Sequence, residues 1–223
     1  MKINLVSDIK VDRNFALQKV KLFHENDEII ENDLESICSP GTQTYISVIF
    51  RKNRAKYEPY EGLPNTLIGG SGWDLSTVLP PEIDAIKPHV NYGFTQRGCN
   101  RTCGFCVVPQ KEGRFHIVGN LRDLWDGTPK AEITLWDNNI LLDKDHLRAI
   151  CAEAKELGVY LDWNQGLDFR LVDEEVVSLL KTVKLVPKTK WRFALDDVAS
   201  IPLFKEKLDL MRVYGLLDRA VDR

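Results

Sequence analysis

The chain has no run of apolar residues approaching the roughly 18 that a membrane-spanning helix needs, so no membrane partner is expected. It has no large excess of charge of either sign: 30 Lys and Arg stand against 33 Asp and Glu, a formal net charge of -3. That balance gives nucleic acid no general electrostatic attraction, and nucleic acid is not an expected partner. Cysteine is scarce and odd in number, five in 223 residues, which argues against a complete disulfide framework. With no apolar, leader-like N-terminus, the expected compartment is the reducing cytoplasm. The phosphate-cradling patterns G-x-G-x-x-G and G-x4-G-K-[ST] are also missing; Gly69-Gly70-Ser71-Gly72 fits neither and reads as a turn that ends a strand.

Three of the five cysteines are crowded into Gly98-Cys99-Asn100-Arg101-Thr102-Cys103-Gly104-Phe105-Cys106-Val107-Val108-Pro109. The C-x3-C-x2-C spacing supplies three thiolates and no obvious fourth, which suits a metal centre that keeps one coordination position open. A zinc site completed by His116 or Cys151 is the alternative, although zinc ribbons typically bring two paired knuckles and this chain has one C-x2-C. Cys38 stands alone, and Cys151 falls on the apolar face of a helical pattern, where it reads as a small buried side chain. Arg97, Arg101, Lys111 and Arg114 make the loop locally basic.

The rest of the chain alternates strand and helix signals, which argues for α/β architecture with parallel sheets. Ile3 to Val6, Tyr45 to Phe50 and Thr66 to Ile68 read as strands, with a helix over Phe15 to Phe23. Pro80-Pro81 and Lys87-Pro88 mark a boundary near residue 88. Beyond it Val90 to Thr95, Glu132 to Trp136, Val159 to Trp163 and Trp191 to Leu195 read as strands. Helices are expected from Asn120, over Asp143 to Leu157 with Gly158 as the stop, over Asp173 to Thr182 and over Pro202 to Tyr214. The strands finish in polar clusters: Asp137-Asn138-Asn139, Asn164-Gln165 with Asp168, and Asp196-Asp197. Ligands of parallel α/β folds gather at these carboxyl ends. Trp136, Trp163 and Trp191 read as core or pocket wall.

The cysteine loop, with Phe105 just before Cys106, resembles that of radical S-adenosylmethionine enzymes, and Gly98 to Arg101 with Phe105 to Pro109 is similar to the methylthiotransferase and cobalamin-domain-containing branches. The resemblance implies a 4Fe-4S cluster on Cys99, Cys103 and Cys106, with its open iron chelated by S-adenosylmethionine. It implies an enzyme that reductively cleaves S-adenosylmethionine to start radical chemistry on an unknown substrate, supplied by an electron donor such as flavodoxin or ferredoxin. By the same resemblance Asp137, Asn138 and Asn139 take the place that contacts the methionine amino group, though the family's Gly-Gly-Glu is absent. Asn164 and Gln165 face cofactor or substrate, Asp196 lies in the ribose-contacting region, and the backbone around Phe105 approaches adenine; the Phe105 ring also reads as a core aromatic.

The implied fold is a partial (β/α) barrel over 89-223, with about four of six units, preceded over 1-88 by a small α/β cobalamin-binding-like domain. That domain lacks the D-x-H-x-x-G signature around His24 or His89, so no cobalamin is expected. Leu216 to Arg223 shows no further strand pattern. A barrel that ends early is expected to self-associate or be completed by another chain, and it leaves open two alternatives to an active enzyme: a structural zinc- or cluster-binding module, or an inactive fragment.

Overall fold

Near-continuous apolar runs of β-branched and aliphatic residues give parallel strands buried on both faces. In the computed structural model, residues 1-217 are described, and the chain divides into two units, Met1–Pro88 and His89–Arg223. In the first, β1 (Lys2–Ser7), α1 (Phe15–Phe23), β2 (Glu28–Glu31), β3 (Thr42–Ser47), α2 (Arg54–Tyr57), β4 (Thr66–Gly69) and α3 (Pro81–Asp84) follow in order. Their strands form one parallel sheet ordered β2-β1-β3-β4. Asn14 caps α1 by accepting the Leu17 N–H at 3.2 Å, and the helix lays Leu17 and Val20 against Ile3 and Leu5 of β1. Gly70, at φ +101°, presses on the chain leaving β3: a Cβ there would lie 2.3 Å from the Val48 carbonyl oxygen. The glycine run is therefore a packed turn.

The second unit contains β5 (Tyr92–Gly93), β6 (Gln96–Arg97), α4 (Val108–Lys111), β7 (His116–Ile117), β8 (Glu132–Leu135), α5 (Lys144–Leu157), β9 (Tyr160–Trp163), α6 (Glu174–Leu180), β10 (Lys184–Leu185) and α7 (Ile201–Val213). A parallel sheet ordered β10-β9-β8-β5 carries the unit, and β6 pairs antiparallel with β7 beside it. Asp143 caps α5 by accepting the Asp145 and His146 N–H groups, each at 3.0 Å, and Gly158 ends it at φ +68°. Leu147, Ile150, Cys151 and Ala154 form its buried face. The architecture is α/β with parallel sheets in both units.

Several local expectations fail. Trp191 to Leu195 is not a strand; it makes one isolated parallel bridge, Phe193 to Leu167, beyond the end of β9, and the fourth strand is β10. The Arg192 carbonyl accepts the Leu167 N–H at 2.8 Å and the Ala194 N–H donates to the Leu167 carbonyl at 3.1 Å, but Leu167 lies past the end of β9, so the pairing stops at one bridge, while the Arg192 guanidinium pairs with Asp162. Asn120 to Trp125 is a turn, because Asn120 and Asp123 accept each other's N–H groups and Glu153 takes the Leu121 N–H. The strand expected over Val90 to Thr95 pairs only at Tyr92–Gly93. Within the stretch Leu216 to Arg223, residues 218-223 lie outside the described residues. Among the described residues, no helix is long and apolar enough to cross a membrane.

Candidate functional site

The chain leaves β5 through Thr95 and Gln96, both fully buried, and these two residues root the cysteine loop. Asp137, just past β8 and 5% exposed, clasps them: its Oδ1 accepts the Thr95 N–H at 2.6 Å and the Gln96 N–H at 2.8 Å, and its Oδ2 accepts the Thr95 hydroxyl at 2.7 Å. Thr95 Oγ1 also lies 2.9 Å from His146 Nε2 in α5. Burial, opposed by these three hydrogen bonds, pushes the Asp137 carboxyl up to about 6, and burial holds His146 below the usual imidazole value. Gln96 returns the contact, its Oε1 accepting the Asn139 N–H at 2.9 Å. Asn138 Oδ1 accepts the Gly98 N–H at 2.8 Å.

Gly98 is required where it stands. Its φ is +74°, and a Cβ would lie 2.1 Å from the Arg114 carbonyl oxygen, because the loop doubles back against the approach to β7. The Cys99 N–H donates to the Gly113 carbonyl at 3.1 Å, and the Arg101 N–H points at Cys99 Sγ at 3.4 Å. Cys103 and Cys106 share a turn closed by the Cys106 N–H on the Cys103 carbonyl at 3.0 Å. All three thiols are free and half-buried. Phe105 is 72% exposed, so its ring is not a core aromatic.

Beside Cys99 lies a buried polar cluster. Asn139 Nδ2 donates to Cys99 Sγ at 3.8 Å and to Asp168 Oδ2 at 3.3 Å. Asp168 is 5% exposed and accepts from Arg170 Nε at 2.6 Å, with the Arg101 guanidinium 3.8 Å away. The Arg170 guanidinium is raised first by its hydrogen bond to Asp168, then by the fields of Asp168, Asp196 and Cys103. Cys99, Asn139 and Asp168 are thereby linked beside two cations, Arg101 and Arg170. Asn139 Oδ1 is buried with no hydrogen-bond partner among the described residues.

Among the described residues, no three His, Cys, Asp or Glu side chains converge in a metal-holding arrangement. The donor types nonetheless fit a cluster: three soft, unpaired thiols on one loop, next to an open acceptor. Their sulfurs have to be drawn together on binding, as in sites whose metal completes the local fold.

The residues expected at the site divide. Asp137 and Asn138 spend their side chains on the loop root, which leaves Asn139 as the member of that trio with a free acceptor. Asn164 and Gln165 are exposed; Gln165 joins Asp137, Ile140, Trp163 and Leu167 around a cavity of about 10 Å³, space for roughly one water. Trp163 is buried and stacks on Trp191 at 6.4 Å. Cys151 lies in the buried face of α5, where burial pushes its thiol to about 12, and His116 is exposed with Nδ1 on the Arg114 carbonyl. Neither is joined to the cysteine loop as a fourth ligand. His24 is held between Asp27 and Tyr45, and His89 rests on the Trp125 carbonyl. Thr95, Gln96, His146, Arg170 and Arg101's pairing with Asp168 were not anticipated; the one sequence cue is the polar pair Thr95-Gln96 before Gly98.

No protein-family model matches the chain. It is 23% identical to the ribosomal protein uS12 methylthiotransferase RimO of Colwellia psychrerythraea over 89% of this chain and 44% of that protein. It is 28% identical to the cytidylyl-2-hydroxyethylphosphonate methyltransferase of Streptomyces wedmorensis over 57% of this chain and 25% of the relative. It is 32% identical to the tRNA-2-methylthio-N(6)-dimethylallyladenosine synthase of Chlorobaculum tepidum over 47% of this chain and 20% of the relative. The chain thus spans less than half the length of each of these relatives. Two of the three are methylthio-group enzymes by name, the branch that the loop Gly98 to Pro109 resembles, and this supports the radical S-adenosylmethionine superfamily as the chain's kinship.

Proposed function

We propose that the chain is a radical S-adenosylmethionine protein whose 4Fe-4S cluster sits on Cys99, Cys103 and Cys106. The observation that carries the reading is the unpartnered Asn139 Oδ1, buried beside Cys99 Sγ at the carboxyl end of β8. When bound, the cluster supplies an electron to the sulfonium of S-adenosylmethionine, which starts radical chemistry on a substrate of unknown class. Asn139 Oδ1 would accept from the methionine amino group, and its own Nδ2 steadies Cys99. Arg101 and Arg170 surround the buried Asp168 and keep that wall of the site charged but balanced. Asp196 acts on Arg170 and would face the ribose, and the backbone around the exposed Phe105 would approach adenine. Asn164 and Gln165 line the substrate side. Asp137 and Asn138 hold the loop root in place, so the chemistry is positioned by β8 rather than by the loop itself.

On this reading the protein is cytoplasmic and takes its electron from a flavodoxin- or ferredoxin-like donor. The unit over residues 1-88 is a cobalamin-binding-like domain without cobalamin, and the radical domain is completed by self-association or by another chain.

Anaerobic reconstitution with iron and sulfide, followed by electron paramagnetic resonance of the dithionite-reduced protein with and without S-adenosylmethionine, tests the proposal. A reduced 4Fe-4S signal that shifts on adding S-adenosylmethionine is the expected result. A signal that ignores it leaves a cluster without a cofactor site, and stoichiometric colourless zinc overturns the reading. Size-exclusion with light scattering checks assembly; a clean monomer removes self-association.

A further inference from the structure

His146 lies 7% exposed in the first turn of α5, outside the cluster loop and the polar cluster around Asp168. Its Nε2 meets Thr95 Oγ1, which also donates to Asp137 Oδ2. A hydroxyl carries one hydrogen. While Asp137 is a carboxylate and takes that hydrogen, Nε2 must be the protonated nitrogen of His146 and donate to Thr95. When Asp137 gains a proton, the chain reverses: Asp137 donates to Thr95, Thr95 donates to Nε2, and the imidazole hydrogen sits on Nδ1. In both arrangements Asp137 Oδ1 still accepts the Thr95 and Gln96 N–H groups.

We propose that His146 is a positioning residue for the cysteine loop: acting through the Thr95 hydroxyl, it lets the Asp137 clasp on the loop root persist whether or not Asp137 carries a proton. The role of that loop rests on the function proposed above; the relay itself rests on the three side chains. The elements facing it are accounted for. Thr95 and Gln96 meet Asp137 by hydrogen bonds alone, and the charged groups acting on His146 are Asp143, the cap of α5, and Glu153 two turns along it. Both favour its charged form, and burial outweighs them, holding the imidazole below its ordinary value.

Nitrogen-15 NMR of the histidine-labelled full chain, without iron, reads the tautomer directly. The expected result is His146 as Nε2–H at about pH 8 and as Nδ1–H at about pH 5, on either side of the Asp137 transition. Asp137→Asn, whose amide donates as the protonated acid does, should hold Nδ1–H at both. A tautomer that does not change in the unsubstituted chain, or an imidazolium at the lower pH, overturns the relay.

The consequence for the loop is read by the reaction of its thiols with 4,4'-dithiodipyridine in a Cys38→Ser background, corrected for thiolate fraction. The unsubstituted chain should react evenly across that range. His146→Leu should react about tenfold faster at the lower pH only, the worth of one lost buried hydrogen bond, and His146→Gln should restore the even profile. If His146→Leu unfolds, Thr95→Val removes the same link together with the Thr95 to Asp137 hydrogen bond, and should speed the reaction at the lower pH at least as much, with His146→Leu adding nothing in the double variant. A His146→Leu profile that matches the parent, or Gln failing as Leu does, rejects the positioning role. Failure to assemble a cluster in the parent would instead reject the proposed function and leave both readouts standing.

Discussion

Asn138 Oδ1 accepts the Gly98 N–H at 2.8 Å, so the residue before the first loop cysteine is held by the end of a strand 40 positions further along the chain. Replacing Asn138 by Ala leaves that N–H without its partner in a partly buried place. The expected cost is about 1 kcal/mol, read as a lower urea midpoint and a severalfold weaker retention of reconstituted iron. Iron retention equal to the parent would show that the contact does not support the loop.

Gly98→Ala should be the most damaging single change at this site, since the added carbon would lie 2.1 Å from the Arg114 carbonyl oxygen at a left-handed φ. A loss of about 2–4 kcal/mol is expected in denaturant melts, with the pairing of β6 and β7 disturbed. Gly104→Ala is the control: a Cβ there meets nothing within 4 Å, and the change should stay within about 0.5 kcal/mol of the parent.

Cys99→Ala, Cys103→Ala and Cys106→Ala should each abolish cluster assembly, measured by iron and acid-labile sulfide. Cys38→Ala and Cys151→Ala should not. Cys151→Ala is expected to cost about 1 kcal/mol of stability through lost packing in α5, while iron content is unchanged. Loss of metal in Cys151→Ala would mean that a fourth thiol closes the site.

Asp137 gives stability a pH dependence of unusual sign. Its carboxyl is raised from 3.8 to about 6 by burial, so the folded chain holds this proton more tightly than the unfolded one. The associated stability is fully present below the unfolded value of 3.8 and is lost as pH rises through about 6, an effect on the order of 2–3 kcal/mol. Asp137→Asn should flatten that part of a urea-stability profile. An identical slope in the variant would place the transition elsewhere.

The sequence shows α5 clearly, because its cap Asp143, its apolar period and its stop Gly158 all act within the helix. Asp173 announces α6 in the same local way. By contrast β2 has two isoleucines between glutamates, and β10 is Lys184–Leu185; each is a strand only because a neighbour supplies hydrogen bonds at its edge. Trp191 to Leu195 has the composition of a strand, but its partner Leu167 lies past the end of β9. At the site the thiols and the trio Asp137-Asn138-Asn139 are legible. The direction of the trio is not, since its partners Thr95, Gln96 and Gly98 lie about 40 residues earlier and nothing local points to them. His146 is hidden for the same reason, a polar residue in the first turn of a helix whose partner Thr95 lies between β5 and β6.

The backbone anchors around Cys99 and the open surroundings of Gly104 give the loop one tethered jaw and one untethered by comparable contacts. Cys99 is fixed by Gly113, by Asn138 through Gly98 and by Asn139. Cys103 and Cys106 travel together on a single turn. On the function proposed above, metal capture would have an order, with the first bond made at Cys99 and the paired thiols following. Stiffening Gly104 would slow the second stage of uptake and leave the first unchanged.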